Sequence, residues 1–165
     1  MSKYEARPQP HLPFVATMPE AIKEKWMAAL RSGEFQQCSG RLKRFDADGN
    51  ASYCCLGVLQ EVVSGEVSHG AADGEFDMQG NPLCDAVPPM EWLTANGIKF
   101  FDHLGYAVTV PTIYVTELEP TEEDDEGNLI KLPPTETCES AASLNDNGCT
   151  FEEIADFLEP LIQTY

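Results

Sequence analysis

The chain has 165 residues and a formal net charge of −18, and 42% of its residues are hydrophobic and 9% aromatic. These values are typical of a globular domain and exclude a disordered chain. No apolar run approaches the roughly 20 residues of a membrane span, and the N-terminus lacks the apolar core of a secretory signal. We therefore expect one domain in the cytoplasm, without a membrane partner.

The negative charge is unevenly distributed along the chain. Residues 1–50 contain eight Lys and Arg against six Asp and Glu, whereas residues 51–165 contain two against twenty-two. A field of this sign repels nucleic-acid backbones, so direct binding of DNA or RNA over a broad face is not expected. An acidic surface suits a basic protein partner, although simple solvation explains it as well.

The N-terminal third predicts an arm followed by a helix. Residues 1–16 are rich in proline and aperiodic, which indicates an extended arm ahead of a single α+β domain over residues 17–165. Thr17 is the expected N-cap of the first helix, with Glu20 completing a capping box and Ser32-Gly33 ending the helix. Its core face comprises four residues at helical spacing, Ile22, Trp26, Ala29 and Leu30.

A hairpin and a second helix are predicted next. Residues 41–53 form the hairpin, with its turn at Asp48-Gly49-Asn50. Ser52 can cap the helix, whose buried stripe is Cys55, Val58, Leu59 and Val62. Gly57 within that helix costs about 1 kcal/mol relative to alanine. A close approach by a neighbouring backbone would explain its presence.

The middle of the chain predicts a loop, a short helix and a second hairpin. Residues 64–87 form an irregular loop with a short strand near 76–78, and Pro88-Pro89 opens a helix that Asn96-Gly97 ends. A strand is predicted over 106–118, where Pro111 favours an edge position or a bulge. An edge strand there would make a homo-oligomer plausible. The acidic segment 119–126 is expected to turn the chain, and residues 128–132 to return as the partner strand.

Two helices are predicted at the C-terminus. Residues 137–145 lead into a C-cap at Asn147-Gly148, and Thr150 with Glu153 caps the last helix. The core face of that helix comprises Ile154, Phe157, Leu158 and Leu161. Taken together, the patterns predict an α+β single domain with three to four amphipathic helices packed on two β-hairpins.

Metal and cofactor signatures are absent from the sequence. The six cysteines form no CxxC pair, and without a secretory signal they are expected to be reduced and mostly buried. Asp46, Asp48 and Asn50 copy the start of a calcium-binding loop. However, Ala51 and Gly57 occupy the positions where such a loop needs glycine and glutamate. We therefore expect no metal and no cofactor.

Catalytic motifs are also missing, so a protein that is not an enzyme is favoured. None of the common hydrolase, protease or nucleotide-binding motifs is present. His103 is the one histidine in a region predicted to be structured, and nothing pairs it with a particular cysteine. Catalysis by Cys54, Cys55 or His103 remains an alternative.

Six of the ten cations form what we call the basic island, Lys23, Lys25, Arg31, Arg41, Lys43 and Arg44. Aromatic residues are interleaved with them. Because arginine makes bidentate phosphate contacts and aromatic rings stack on bases, the island predicts a site for a small anionic ligand. The predicted ligand-binding residues are Trp26, Arg31, Phe35, Gln37, Arg41, Arg44 and Tyr53. The alternative is that these cations pair with acidic residues within the fold.

Three stretches carry a family resemblance: KWMAALRSGEFQQCSGRL at 25–42, YCCLGVL at 53–59 and LNDNGCTFEEIADFL at 144–158. Together with PPMEWL at 88–93, they resemble an uncharacterised family of small proteins common in bacteriophage and prophage genomes. Its members share a W-x3-L-x-SG-x-[YF]-x-Q opening, a CCLGVL helix and an LNDxG close. Most of these residues are explained by folding, but Gln37, Gly40 and Arg41 are less easily explained in that way.

The resemblance implies a viral origin and no particular activity. Our leading hypothesis is a non-enzymatic phage accessory protein that acts by binding in the host cytoplasm, sequestering a small anionic, nucleotide-type ligand to counter host defence. The alternative is an acidic inhibitor that binds a basic host protein, for example as a nucleic-acid mimic.

Overall fold

A computed structural model describes residues 2–9, 13–68 and 84–165. Within these ranges the chain forms five α-helices and a 3-10 turn, namely α1 (Glu20–Arg31), α2 (Cys55–Ser64), α3 (Met90–Ala95), α4 (Ala141–Asp146), α5 (Phe151–Leu158) and η1 (Glu159–Leu161). The strands are β1 (Tyr4–Ala6), β2 (Ala16–Met18), β3 (Lys43–Phe45), β4 (Ala51–Tyr53), β5 (Lys99–Phe101), β6 (Ala107–Val108), β7 (Thr112–Glu117), β8 (Thr121–Glu123), β9 (Leu129–Lys131), β10 (Thr135–Ser140) and β11 (Ile162–Thr164).

These elements confirm the α+β class and correct the finer prediction. The described strands fall into four sheets, in the orders β1-β7-β10, β11-β2-β5-β6, β3-β4 and β8-β9. Three to four helices on two hairpins is therefore wrong, because there are five helices and because β1, β2 and β11 pair with strands that are distant in sequence. The expected short strand near 76–78 lies outside the described residues.

The N-terminal segment is part of two sheets. β1 pairs antiparallel with β7, and β2 lies between β5, to which it is antiparallel, and β11, to which it is parallel. Tyr4, Val15 and Ala16 are buried. The segment expected to be an extended arm is thus held by buried apolar side chains that its prolines obscured in the sequence.

The first helix packs as predicted but begins differently. Trp26, Met27 and Leu30 are buried, and Ile22 and Ala29 pack against the core. The helix ends at Ser32, as expected. Its N-cap is Pro19, without a side-chain hydrogen bond, because Thr17 belongs to β2. The predicted capping box is therefore wrong.

The predicted hairpin and second helix are confirmed, although Cys54 is the N-cap of α2 and Ser52 lies in β4. A Cβ atom on Gly57 would lie 1.8 Å from the backbone oxygen of Leu42. The close backbone approach expected at Gly57 is thus present. The absence of a side chain at Gly57 allows α2 to lie directly against the backbone of Leu42, just before β3.

At the C-terminus, one helix prediction is too long and the other is confirmed. Residues 137–140 belong to β10, and α4 begins only at Ala141. Thr150 caps α5 by accepting a hydrogen bond from the Glu153 N–H at 3.2 Å. Ile154 and Leu158 are buried, while Phe157 and Leu161 are partly buried against the core.

The second predicted hairpin exists in a longer and different form. Thr112 faces Ser140 and Glu117 faces Thr135 in one ladder, while Thr121 faces Lys131 in the next. The register is the same throughout, so β7–β10 and β8–β9 are consecutive parts of one hairpin. Residues 129–131 therefore pair with residues 121–123. The predicted pairing of residues 128–132 with the 106–118 strand is wrong. The strand after Pro111 is central, which removes the predicted edge position.

Two of the hairpin turns are held by the same pattern of hydrogen bonds to an aspartate side chain. Asp46 accepts hydrogen bonds from the N–H groups of Asp48 and Asn50, and Asp124 accepts them from those of Glu126 and Asn128. These backbone hydrogen bonds, above all those from Asn50 and Asn128, hold the pKa of Asp46 and of Asp124 below its usual range. The residues that copy a calcium-binding loop are thus engaged in a turn.

Candidate functional site

The structure separates the residues of the basic island. Trp26 is fully buried and donates its Nε1–H to the backbone oxygen of Cys55 at 2.9 Å. Its ring therefore offers no face to a ligand. Helical periodicity, which places Trp26 in the core, was the stronger signal at this position.

Arg31 is engaged by carboxylates of the last helical segment. Its guanidinium lies 2.9 Å from Asp156 and 2.7 Å from Glu159, and both ion pairs raise its pKa. The adjoining cleft, of about 420 Å³, contains more carboxylates than cations among its charged lining residues, which are Glu20, Lys23, Glu24, Arg31 and Glu159. Arg31 thus forms ion pairs within the fold, as the alternative prediction stated. The carboxylates around it disfavour the binding of an anion in this cleft.

Of the other predicted residues, Phe35 and Tyr53 come together beside Lys43. We define the cationic-aromatic surface as Phe35, Arg41, Lys43, Phe45 and Tyr53. Because side chains alternate along a strand, Arg44 lies on the opposite face of β3 from Lys43 and Phe45. The Lys43 Nζ lies 5.1 Å from the ring centroid of Phe45 and 5.3 Å from that of Tyr53. Phe35 meets Tyr53 edge-on at 5.3 Å. This arrangement supports a cation–π cluster.

Arg41 and Arg44 both bind backbone oxygens. Arg41 donates to Cys84 at 3.0 Å and Arg44 donates to Ser39 at 2.7 Å. Within the described ranges, no carboxylate forms a salt bridge with Arg41, Lys43 or Arg44. Lys43 was not among the predicted ligand-binding residues, although it is central to the cluster.

Gln37 belongs to a different feature, which we call the polar clamp. Asn145 is 4% exposed and accepts hydrogen bonds from Gln37 Nε2 at 2.8 Å and from the Cys55 N–H at 3.2 Å. Its own Nδ2 donates to the Cys38 oxygen at 2.7 Å. The Gly40 N–H donates to Asp146 at 3.0 Å. The clamp thus joins all three stretches of the motif resemblance.

The polar clamp explains Gln37 and Gly40 structurally. It ties the loop that carries Arg41 to the N-terminus of α2 and to the end of α4. Sequence reasoning missed Asn145, and the signal available was the Leu-Asn-Asp run at 144–146. The clamp therefore positions the loop that leads into the cationic-aromatic surface.

The thiols and His103 show no catalytic arrangement. Burial raises the pKa of Cys54 to about 11 and that of Cys55 well above its usual value. Such thiols stay protonated near neutral pH, and the thiolate is the nucleophilic form. His103 Nδ1 is buried and has no hydrogen-bond partner among the described residues. Within the described residues, no group of three or more His, Cys, Asp and Glu converges as metal ligands would.

The outer part of the long hairpin is the second candidate surface. We call residues 118–134 the ribbon arm; it contains six carboxylates and one lysine. All residues of β8 and β9 are exposed, including Leu129 at 75% and Ile130 at 46%. Seven residues from 118 to the turn extend the arm by roughly 20 Å. Exposed apolar side chains among carboxylates are typical of an interaction surface.

Comparisons with known proteins define a partial family match. A family model for a domain of unknown function (DUF8296) matches residues 18–98. No curated protein and no solved structure matches the chain. The matched span contains α1, α2, α3 and the cationic-aromatic surface, whereas Asn145 and the ribbon arm lie outside it. None of the helices in the described ranges has the length and apolar character needed to span a bilayer.

Proposed function

We propose that the chain is a non-enzymatic binding protein that engages a basic protein through its ribbon arm. The observation that carries this proposal is the arm itself, which exposes a dense run of carboxylates together with apolar side chains. Charge of one sign steers a partner of the opposite sign, and apolar contacts add affinity at short range. The motif resemblance to phage and prophage proteins suggests a basic host factor in the cytoplasm as the partner.

The position of the carboxylates supports this proposal. In the β8–β9 ladder, Glu122 faces Ile130 and Glu123 faces Leu129. Side chains of facing residues lie on the same side of a ladder, and successive pairs alternate between its two sides. Each side of the arm therefore combines a carboxylate with an apolar side chain. Imitation of nucleic-acid charge requires only the carboxylates, so it does not explain why Leu129 and Ile130 are exposed.

Neutralising the arm is expected to weaken binding of a basic peptide at least about tenfold. The variant carries Glu122→Gln, Glu123→Gln, Asp125→Asn and Glu126→Gln, and it retains Asp124 because that residue holds the turn. The probe is a fluorescein-labelled octapeptide of alternating lysine and valine. The dissociation constant is measured by fluorescence anisotropy at low salt and at physiological salt.

The matched control removes the same charge from exposed positions elsewhere, with the substitutions Glu5→Gln, Glu24→Gln, Glu34→Gln and Glu66→Gln. Its affinity should fall less than about threefold, since only net charge changes. Equal losses in the two variants would show that the peptide responds to net charge alone. That result, or no binding by the unchanged protein, would refute the proposal.

A second candidate function is capture of a small anion by the cationic-aromatic surface. It is favoured by the two cations there, Arg41 and Lys43, that form no salt bridge within the described residues, and by the aromatic rings beside Lys43. A nucleotide is the chemical class that such a surface suits, because phosphate meets arginine and the base meets a ring. This is the reduced form of the site predicted from the sequence, without Trp26, Arg31, Gln37 and Arg44.

Calorimetry against a panel of nucleoside mono-, di- and triphosphates tests this candidate. At least one nucleotide should bind, and Arg41→Gln with Lys43→Gln should weaken that binding about tenfold or more. Lys25→Gln with Lys99→Gln removes the same charge from exposed positions outside the surface and should change affinity less than about threefold. No heat with any nucleotide, or equal losses in both variants, would remove this candidate.

A further inference from the structure

One edge of the ribbon arm has free backbone hydrogen-bonding groups. In the β8–β9 ladder, the Leu132 N–H donates to the Pro120 oxygen at 2.8 Å and the Asp124 N–H donates to the Asn128 oxygen at 2.9 Å. Inward and outward residues alternate along an antiparallel strand, so Thr121 and Glu123 direct their N–H and C=O groups away from β9. No third strand pairs with β8 in the part of the chain that is described.

The two edges of the arm differ in how they are protected. On the β9 side, Lys131 occupies an outward position and Pro133-Pro134 follow the strand. Lysine and proline are the residues by which proteins prevent a further strand from adding to an edge. The outward positions of β8 are Thr121 and Glu123, so this edge carries no lysine, and its one proline, Pro120, lies before the strand. The charge at its outward positions is negative, which opposes another acidic strand but not a basic one.

The corresponding edge of β7 already accepts added groups. β1 pairs with β7 antiparallel, from Tyr4 opposite Glu117 to Ala6 opposite Val115. Where β1 ends, the Gln9 side chain continues the pairing, since its Nε2 donates to the Tyr114 oxygen at 3.3 Å and its Oε1 accepts from the Tyr114 N–H at 3.1 Å. The edge of β7 is thus paired by β1 and by Gln9. The corresponding edge of β8, the next strand along the chain, has no partner strand in the described part of the chain.

We propose that β8 accepts an extended, lysine- and arginine-rich segment of a partner protein as an added strand. Backbone hydrogen bonds to Thr121 and Glu123 would provide the register. Glu122 and Glu123 lie on opposite sides of the strand, so basic side chains on either side of the added segment meet a carboxylate. The proposal rests on the proposed function of the ribbon arm and specifies how the basic partner docks.

Removing N–H groups from the probe tests the added strand without altering the protein. The lysine–valine octapeptide is compared with a version N-methylated at its four central residues, which retains every charge but loses donors on both edges. The methylated peptide should bind at least about tenfold more weakly. Equal affinities would overturn strand addition.

A substitution in β8 tests the same point from the protein side. Thr121→Pro removes an outward N–H without changing charge, and Thr121→Ala retains the N–H while removing the hydroxyl. The proline variant should lose about tenfold in affinity and the alanine variant less than about twofold. Both variants should melt within a few degrees of the unchanged protein, because the arm lies outside the core.

Amide hydrogen exchange locates the added strand. Saturating peptide should slow exchange at Thr121 and Glu123 at least about tenfold and leave Leu129 and Lys131 unchanged. Protection at Leu129 and Lys131 alone would place the peptide on the other edge and overturn the proposal.

If arm neutralisation abolishes binding while N-methylation does not affect it, strand addition fails and the proposed function stands. If arm neutralisation acts no more strongly than the scattered control, the proposed function fails as well.

Discussion

Replacing Gly57 by alanine should lower the free energy of unfolding by about 3 kcal/mol. The new methyl group would lie 1.8 Å from the backbone oxygen of Leu42, and a backbone atom cannot move aside as a flexible side chain can. In an unconstrained helix the same substitution would stabilise by about 1 kcal/mol. The sign of the effect therefore distinguishes a helix packed against Leu42 from one with free space at this position.

Thermal and urea unfolding followed by circular dichroism measure this effect. A loss of about 3 kcal/mol corresponds to a fall in melting temperature of roughly 6–12 °C for a domain of this size. Ala28→Gly, at an exposed position of α1, is the reverse change without a packing constraint and should cost about 1 kcal/mol. A Gly57→Ala protein that is as stable as the unchanged protein, or more stable, would contradict the packing of α2 described above.

Replacing Asn145 by alanine should destabilise the fold by about 3 kcal/mol. The amide makes three hydrogen bonds within the polar clamp, to Gln37, Cys38 and Cys55. Alanine would leave the Cys38 oxygen and the Cys55 N–H without these bonds, in a region from which water is largely excluded. Buried groups that lose their partners incur the full cost of desolvation.

Asn147→Ala provides the matched control two residues away. Asn147 is exposed, and its side chain donates to the Tyr4 hydroxyl at 3.1 Å. Its loss should cost less than about 1 kcal/mol. The difference between the two variants in urea denaturation measures the clamp. Similar small costs for both would show that Asn145 does not join the motif stretches in the way described.

Local features of the fold could be predicted from the sequence because their causes lie within a few residues. Thr150 and Glu153 define the start of α5, and the Asp46–Asn50 turn defines the first hairpin. Gly57 indicated a backbone contact because a glycine there has a cost that only a neighbour explains. In each case the residues that decide the structure are also neighbours in the chain.

Pairing between distant segments could not be predicted in the same way. β2, β5 and β11 have only three residues each, so their alternation is too short to distinguish a strand from a loop. Residues 137–140 were expected to lead into the helix that ends at Asn147-Gly148, but they pair with β7. Long-range partners override such local preferences.

The candidate site was predicted in part. Phe35 and Tyr53 do meet beside Lys43, and Arg41 lies on the adjoining loop, whereas Arg44 alternates to the other face of β3. The prediction that Trp26 binds a ligand is wrong. Trp26 is next to cations in the sequence, but its helical spacing with Ile22 and Leu30 places it in the core of the fold. For Gln37, the hydrogen-bonding partner lies 108 residues further along the chain, beyond the reach of any local pattern.

The polar clamp has a consequence for where the chain can be cut. The region that matches the domain of unknown function ends at residue 98, yet Asn145 completes hydrogen bonds made by Gln37, Cys38 and Cys55 within that region. Helix α5 also buries Ile154 and Leu158 in the common core, with α1 as a neighbour. A fragment ending at 98 would thus expose one side of its own interior. The matched region shares one hydrophobic core with the residues that follow it.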